Sequence, residues 1–406
     1  MAATPIISLV FMVIGSGFFM SFISLYFKNL QLSDMDIGFV QSCFYLGLLC
    51  SSLLSEKLIA RIGHIRTLTA TCGLLSASTL VLSLIPVQYW FLFRFFAGGC
   101  VGCSYVCFES WLLAEYSVKE RGYAMAIYTA ALYSSQSVSQ LLLPFFYEGR
   151  YMFAYMVSAF CVSLAAVPVS VGKKNGPDFS MVEPGSFLKF FKLTPLGVTG
   201  CFVAGMMLST FYSFMPIYFE EKGLSPGVLM FFMVAGGAVL QLPLGKLSDQ
   251  IERRKILTGL SLVSACSCFV LLSVEGASAI SVVSFFLGGF CFAIYPISMA
   301  LGCDCVEQKD LVKMTGLLLF SYGVGSVLGP VVTPLLKYVV SDYTVVTLLV
   351  YSLLLSVIGI YALTVKANIP LEDQTTFNVI PTVPMVEELH PSIQENQADE
   401  PLKAQI

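Results

Sequence analysis

The chain has 406 residues, of which 57% are apolar and only 12% charged, with a formal net charge of −3 and a mean hydropathy of +0.82. A soluble domain carries about 25% charged residues, so a surface of this composition cannot be covered against water and must face lipid. No segment shows the ten-residue alternation of membrane barrel strands, which leaves an all-α polytopic membrane protein.

A spanning helix needs about 20 apolar residues to cross roughly 30 Å of hydrocarbon. Twelve stretches meet that length: Pro5–Phe27, Ile37–Leu54, Thr67–Ile85, Tyr89–Ala114, Tyr123–Phe146, Tyr151–Val171, Pro195–Phe219, Val228–Leu247, Ile256–Val274, Ala279–Leu301, Leu311–Leu336 and Thr344–Val365. The first has no basic segment before it and no small-residue cleavage site, so it reads as an uncleaved span.

The fourth span holds the most costly charges. Arg94 lies among Phe91, Phe93, Phe95 and Phe96, and Glu109 follows fifteen residues later, about 22 Å along a helix at 1.5 Å per residue. The two therefore do not pair. Arg94 either anchors a polar group or snorkels to the outer interface. Glu109 reads as a gate or a fold-locking ion pair with Arg121 or Arg66. Cys100, Cys103 and Cys107 recur at helical spacing, with no histidine beside them. They read as small packing residues rather than a metal face, and no disulfide is expected.

The fifth span is polar for a lipid-exposed helix. Tyr133, Gln136 and Gln140, with Thr129 one turn earlier, form a hydrogen-bonding stripe that either contacts a solute or ties helices together. The eleventh contains Gly325-x-x-x-Gly329, a spacing that lets another backbone approach closely. Beyond the last span, residues 366–406 lose their apolar residues and read as a disordered tail. Residues 172–194 join the sixth and seventh spans and carry Lys173, Lys174, Pro177 and Pro184.

Basic residues concentrate in the even-numbered loops, among them Lys57, Arg61, Arg66, Arg121, Lys246, Arg253, Arg254 and Lys255, against Lys28, Arg150, Lys222 and Lys337 in the odd-numbered loops. The positive-inside rule then places both termini in the cytoplasm, as an even number of spans requires. The chain also repeats itself at a separation of about 190 residues: Tyr26-Phe27 and Ser33 recur as Tyr218-Phe219 and Ser225, Phe95-Phe96 and Gly98-Gly99 as Phe285-Phe286 and Gly288-Gly289, and Pro144 as Pro334. The reading is a six-helix bundle over 1–171, a linker over 172–194 and a second bundle over 195–365. Such parallel repeats are related by an axis along the membrane normal, with a solute site between them.

The segment Gly245-Lys-Leu-Ser-Asp249-Gln-Ile-Glu-Arg253-Arg254 resembles the short cytoplasmic loop of the major facilitator superfamily, with Gln250 and Glu252 where that family has arginine and glycine. The first-half equivalent keeps Gly63 and Arg66 but has Ala60 in place of the acid. Arg94-x-x-x-Gly98 resembles the fourth-helix motif of the same family, where the arginine is linked to proton transfer or substrate anchoring. Met215-Pro-Ile-Tyr-Phe, Tyr295-Pro-Ile-Ser298, Ser321-Tyr-Gly-Val-Gly and Glu109-Ser110 resemble the bacterial YcaD-like group within it. The resemblance implies a twelve-helix facilitator fold and a cytoplasmic latch in which Asp249 faces the start of the fifth span near Arg121. It also implies cavity positions at Tyr105, Tyr295 and Ser298. The expected protein is a secondary active transporter of a small solute, working by alternating access as a monomer in a bacterial inner membrane. It needs no cofactor, metal or nucleic acid, and Glu109 is its one acid available for proton coupling. A lipid or amphiphile flippase, a drug-efflux-like carrier and a non-transporting sensor are the competing readings. No phosphate-binding loop and no clustered catalytic residues occur, so neither an ATP-driven pump nor an enzyme is expected.

Overall fold

A computed structural model describes residues 3–116, 120–146, 150–171, 193–306 and 310–364. Residues 172–192 of the linker and the tail beyond residue 364 lie outside the described residues. Twelve α-helices are present among the described residues: α1 Ala3–Asn29, α2 Asp34–Ile62, α3 His64–Leu82, α4 Trp90–Glu115, α5 Arg121–Gln140, α6 Tyr151–Val171, α7 Pro195–Glu221, α8 Pro226–Gln250, α9 Arg253–Ser273, α10 Ala277–Asp304, α11 Leu311–Val332 and α12 Tyr343–Thr364. We call the two ends of the bundle the odd-loop face and the even-loop face, after the helices whose C-termini lie there.

Local chemistry fixes the ends. Ser33 caps α2 by accepting from the amide of Asp36, and Asp34 and Asp36 place two acids where the helix dipole favours them. Prolines open α7 and α8 at a position where no amide partner is lost. Pro144 and Pro334, related by the repeat, sit in the 3₁₀ turns Leu143–Phe146 and Thr333–Tyr338 that follow α5 and α11. Several boundaries differ from the sequence expectation, among them the fifth span, expected to reach Phe146, whose α-helix ends at Gln140. The second span is a 29-residue helix, bent by 55° between Asp34–Ser52 and Leu54–Ile62, so Glu56, Lys57 and Arg61 are helical. Likewise Lys246 and Asp249 belong to α8. Side-chain polarity marks the membrane edge, whereas a helix continues past it because its backbone groups are already paired.

Ten of the helices are each long and apolar enough to cross a bilayer, and α2 joins them when its two arms are taken together. The exception is α5, whose serines and glutamines lower its hydropathy. It can be polar because it is shielded, packing on α1 and, from the other half, on α8.

The packing follows the repeat. Helix pairs α2–α4, α1–α5, α1–α6, α3–α4 and α3–α6 are matched by α8–α10, α7–α11, α7–α12, α9–α10 and α9–α12. The closest approaches recur residue by residue. A Cβ on Gly47 would lie 1.9 Å from the Phe95 carbonyl oxygen, and one on Gly236 would lie 1.8 Å from that of Phe285. Gly98 faces the Phe44 oxygen at 1.9 Å and Gly288 the Met233 oxygen at 2.0 Å in the same sense. These helices touch backbone to backbone, as small residues allow in lipid. Gly47→Ala and Gly236→Ala should therefore each cost about 1–3 kcal/mol as overpacking. Gly73→Ala, where a Cβ meets nothing within 4 Å, should be neutral or stabilising. Thermal unfolding of the purified protein checks both.

The halves meet along α2–α11, α5–α8 and α1–α7. Here too the contacts come in related pairs. Gly38 lies against the Pro330 carbonyl and Gly227 against that of Gln140, with Cβ-to-oxygen distances of 2.1 and 2.6 Å. The Ser42 hydroxyl donates to the Val327 oxygen at 2.7 Å, and the Ser137 hydroxyl to the Phe231 oxygen at 2.9 Å.

Candidate substrate cavity and its gates

Between the halves lies a cavity of about 100 Å³. Its wall is built from Ser16, Gly17 and Met20 of α1, Phe44, Tyr45 and Leu48 of α2, Val101 and Tyr105 of α4, Leu132, Tyr133 and Gln136 of α5, Leu208 and Tyr212 of α7, and Tyr322 and Ser326 of α11. Six helices from both halves thus contribute. The rings interlock behind the wall: Tyr133 from the first half and Phe211 and Tyr212 from the second all pack edge-on to Phe292 of α10. Gly237 makes room for that ring, since a Cβ there would lie 2.6 Å from it.

The structure divides the predicted cavity residues. Tyr105, Tyr133 and Gln136 are on the wall. Gln140 instead ties α5 to α1, accepting from Ser21 at 2.8 Å and donating to the Gly17 carbonyl at 3.1 Å. Tyr295 sits behind the wall, its ring 4.5 Å from that of Tyr322. Ser298 faces α7, where a Cβ on Gly200 would be 2.2 Å from its hydroxyl oxygen. It lies between α10 and α7 and is not on the cavity wall.

Arg94 does not snorkel. Its residue is 3% exposed, and Nη2 donates to Oε1 of Gln41 at 2.8 Å and contacts Sδ of Met20 at 2.7 Å. The guanidinium lies over the Phe44 ring, 4.3 Å from its centroid. Gln41 is in turn held by the Met20 carbonyl and the Ser24 hydroxyl. No carboxylate pairs with Arg94 among the described residues. Met20 and Phe44 stand between it and the cavity, so it braces the wall from behind.

Glu109 is fully buried, and among the described residues its carboxylate oxygens make no well-formed hydrogen bond, although the Tyr128 phenol is close enough to interact with it. Its neighbours are the phenols of Tyr128, Tyr105 and Tyr295. Tyr105 lies one turn before it on α4 and is itself on the wall. Side chains on a helix lean toward its N-terminus, so the Glu109 side chain is directed toward Tyr105, though it is not itself on the wall. Arg66, one expected partner, is exposed; the other, the side chain of Arg121, lies outside the described residues. Cys100, Cys103 and Cys107 are buried free thiols, and no metal-holding group of His, Cys, Asp or Glu occurs among the described residues.

On the even-loop face the centre of the charge cluster is Arg253, the first residue of α9, with a side chain 0% exposed. It pairs with Asp304 at the end of α10 and with Asp249 of α8 at 3.3 Å. Both acids sit at helix C-termini and the arginine at an N-terminus, each opposed by its own dipole, so mutual pairing is what holds them there. Arg254 pairs with Glu252 at 2.5 Å and donates to the Ala362 carbonyl of α12 at 2.8 Å. These bonds strap α8, α9, α10 and α12 of the second half together. The expected partner of Asp249 at the start of α5 is Arg121, whose side chain lies outside the described residues. Gly245 is a buried helical position whose carbonyl accepts from Ser248, not a turn. In the first half the place of Arg253 at the helix start is taken by His64, 1% exposed and 2.8 Å from the Ser110 hydroxyl. Arg66 points out. Gly63 makes the break between α2 and α3 at φ +80°, a value that favours glycine. Sequence reading missed His64 and Asp304; His64 looked like a loop residue because α2 seemed to end at Leu54.

The odd-loop face is closed by charges from both halves. Lys28 of α1 pairs with Glu221 of α7. Asp34, its side chain 3% exposed, pairs with Lys337 at 2.6 Å and accepts from the Tyr343 hydroxyl at 3.0 Å. Lys222 and Asp342 pair alongside at 3.0 Å. In sequence these residues had marked only the sign of the odd loops.

Two six-helix bundles around a shared cavity, tied across one face by ion pairs between them, are the architecture of a membrane carrier. The sequence profile of the Major Facilitator Superfamily matches residues 6–240 and 227–376, and the chain belongs to that superfamily as an MFS-type transporter. It is 31% identical over 352 residues to an uncharacterised MFS-type transporter of Enterobacter sp. (strain 638), covering 84% of this chain and 88% of the relative. It is 30% identical over 355 residues to YcaD of Escherichia coli, covering 85% and 90%. Among solved structures, a point mutant of the nucleoside transporter NupG superposes with a TM-score of 0.73 at 13% identity, over 88% of this chain and 98% of that one. A bacterial homologue of the human lysosomal transporter Spinster, inward-facing and occupied, superposes at 0.71 with 14% identity, over 92% and 97%. These two likenesses concern the fold.

Proposed function

We propose that the chain carries a small solute across a bacterial inner membrane by alternating access, with both termini and the even-loop face in the cytoplasm. The observation that carries this is the contracted cavity between two-fold-related halves whose odd-loop face is latched. At about 100 Å³ it is smaller than the roughly 300–1,000 Å³ of ligand pockets, so a solute enters only when the halves part. Breaking Lys28–Glu221 and Asp34–Lys337 opens it outward. The α2–α11 and α5–α8 contacts, Gly38 with Pro330 and Gly227 with Gln140, lie at the same odd-loop end and part with those ion pairs. The Arg253 cluster keeps the second bundle rigid while it rocks.

Glu109 carries the coupling proton in this reading. An ionised carboxyl with no cation beside it among the described residues is costly in a buried site, and the adjacent wall residue Tyr105 links its state to solute occupancy. A thermal-shift screen supplies a transported solute, because a ligand of the folded state raises apparent stability. In proteoliposomes an imposed pH gradient should then drive accumulation of that solute. Glu109→Gln should abolish gradient-driven accumulation while preserving solute exchange. Wild-type uptake indifferent to the gradient would remove the coupling.

A further inference from the structure

We infer that the cavity takes an uncharged, ring-bearing solute with hydroxyl or amide groups, and not an ion. This rests on the cavity being the transport site. Among the residues that line it, none is charged; five are tyrosines, Tyr45, Tyr105, Tyr133, Tyr212 and Tyr322, and Phe44 adds a sixth ring. The two buried charges nearby are set back. Arg94 is bonded through Nη2 to Gln41 and Met20 and lies over the Phe44 face, with its Nε turned to a separate small cavity behind the wall, and Glu109 lies one turn past Tyr105. An ionic ligand would leave its hydration with no counter-ion on the wall, at several kcal/mol per ion.

An uncharged ring loses nothing comparable. Tyrosine rings from both halves offer faces and edges for stacking, and their hydroxyls both donate and accept. The serine hydroxyls of the wall are turned to their own helices, Ser16 donating to the Met12 carbonyl and Ser326 to that of Tyr322. They present lone pairs to the cavity. Donors on the solute, such as hydroxyl or amide N–H, fit such acceptors.

The test uses the purified full chain and matched probes that share a ring and differ in charge. The sets are indole-3-acetamide, indole-3-acetate and tryptamine; phenylacetamide, phenylacetate and phenethylamine; and p-nitrophenyl glucoside with p-nitrophenyl glucuronide. Thermal stabilisation by uncharged members, and not by their ionic partners, is the expected result. Tyr133→Phe and Tyr212→Phe, which keep the rings, should require at least tenfold more ligand for the same shift. Tyr89→Phe, on the exposed odd-loop side, should change nothing. Stabilisation by the ionic members, or by no uncharged member, overturns the inference. If ionic members stabilise and the two wall variants weaken that effect, the solute class is wrong while the cavity stands as the site. If stabilisation is the same in wild type and in Tyr133→Ala and Tyr212→Ala, the proposed transport site itself fails.

Discussion

Asp304→Ala should lower the stability of the protein by about 3–5 kcal/mol, the usual cost of leaving one member of a buried ion pair alone. Arg253 is wholly buried at the N-terminus of α9, where the helix dipole opposes a cation, and Asp249, at 3.3 Å with 26% of its side chain exposed, replaces only part of what Asp304 supplies. The comparison is Lys255→Ala, which removes a partner of Glu252 that is 62% exposed and should cost at most about 1 kcal/mol. Replacing both partners, Arg253→Leu with Asp304→Leu, should recover much of the loss, since no fully buried charge is left unpaired and Asp249, which loses Arg253, has 26% of its side chain in solvent. Denaturant or thermal unfolding in detergent measures all three. A loss below about 1 kcal/mol for Asp304→Ala, or a double variant as unstable as the single, would contradict the strap role.

Asp34→Asn should shift the protein toward an outward-open state. Asp34 receives Lys337 and Tyr343, both from the second half, while remaining 3% exposed. Removing its charge weakens the pairing across the halves and leaves the cavity walls untouched. If the release biases the equilibrium by about 1.4–2.8 kcal/mol, the open population rises roughly 10- to 100-fold. A cysteine placed at Ser326 on the wall should then react faster, by a factor of that order, with a membrane-impermeant thiol reagent added at the odd-loop face. Lys222→Ala breaks the Lys222–Asp342 pair inside the second half and should leave that rate unchanged. Equal rates in Asp34→Asn and wild type would show that the pair does not gate.

The fold was readable in the sequence because lipid imposes one requirement, that every spanning backbone be internally paired, and apolar length reports it. The repeat was readable for a related reason. Glycines at 47 and 98, and at 236 and 288, stand where two helices touch backbone to backbone, and no other residue fits there. Side-chain direction was less accessible. Tyr133 and Gln136 are on the cavity wall, while Gln140, on the same stripe, faces α1. Both glutamines reach the Gly17 carbonyl of α1, but Gln140 lies one turn, about 6 Å, further toward the odd-loop end, past the cavity wall, and spacing alone does not carry where the wall stops. Ser298 is taken up by the close contact of α10 with Gly197 and Gly200 of α7. Arg94 is buried because Gln41, 53 residues away in sequence, offers it an oxygen. The ion pairs between the halves were hidden most deeply. Lys28 and Glu221 are 193 residues apart, and the axis relating the two halves is what brings them together.

The account stands on the halves rocking about the cavity, and distances across the two faces test it. Spin labels carried on encoded non-natural residues leave the native thiols intact. One pair at Leu84 and Glu275 reads the odd-loop face, and another at Lys57 and Lys246 reads the even-loop face; all four positions are exposed. Going from wild type to Asp34→Asn, the odd-loop distance should lengthen while the even-loop distance shortens. Distances that stay fixed at both faces, or that lengthen together, would contradict alternating access in this protein.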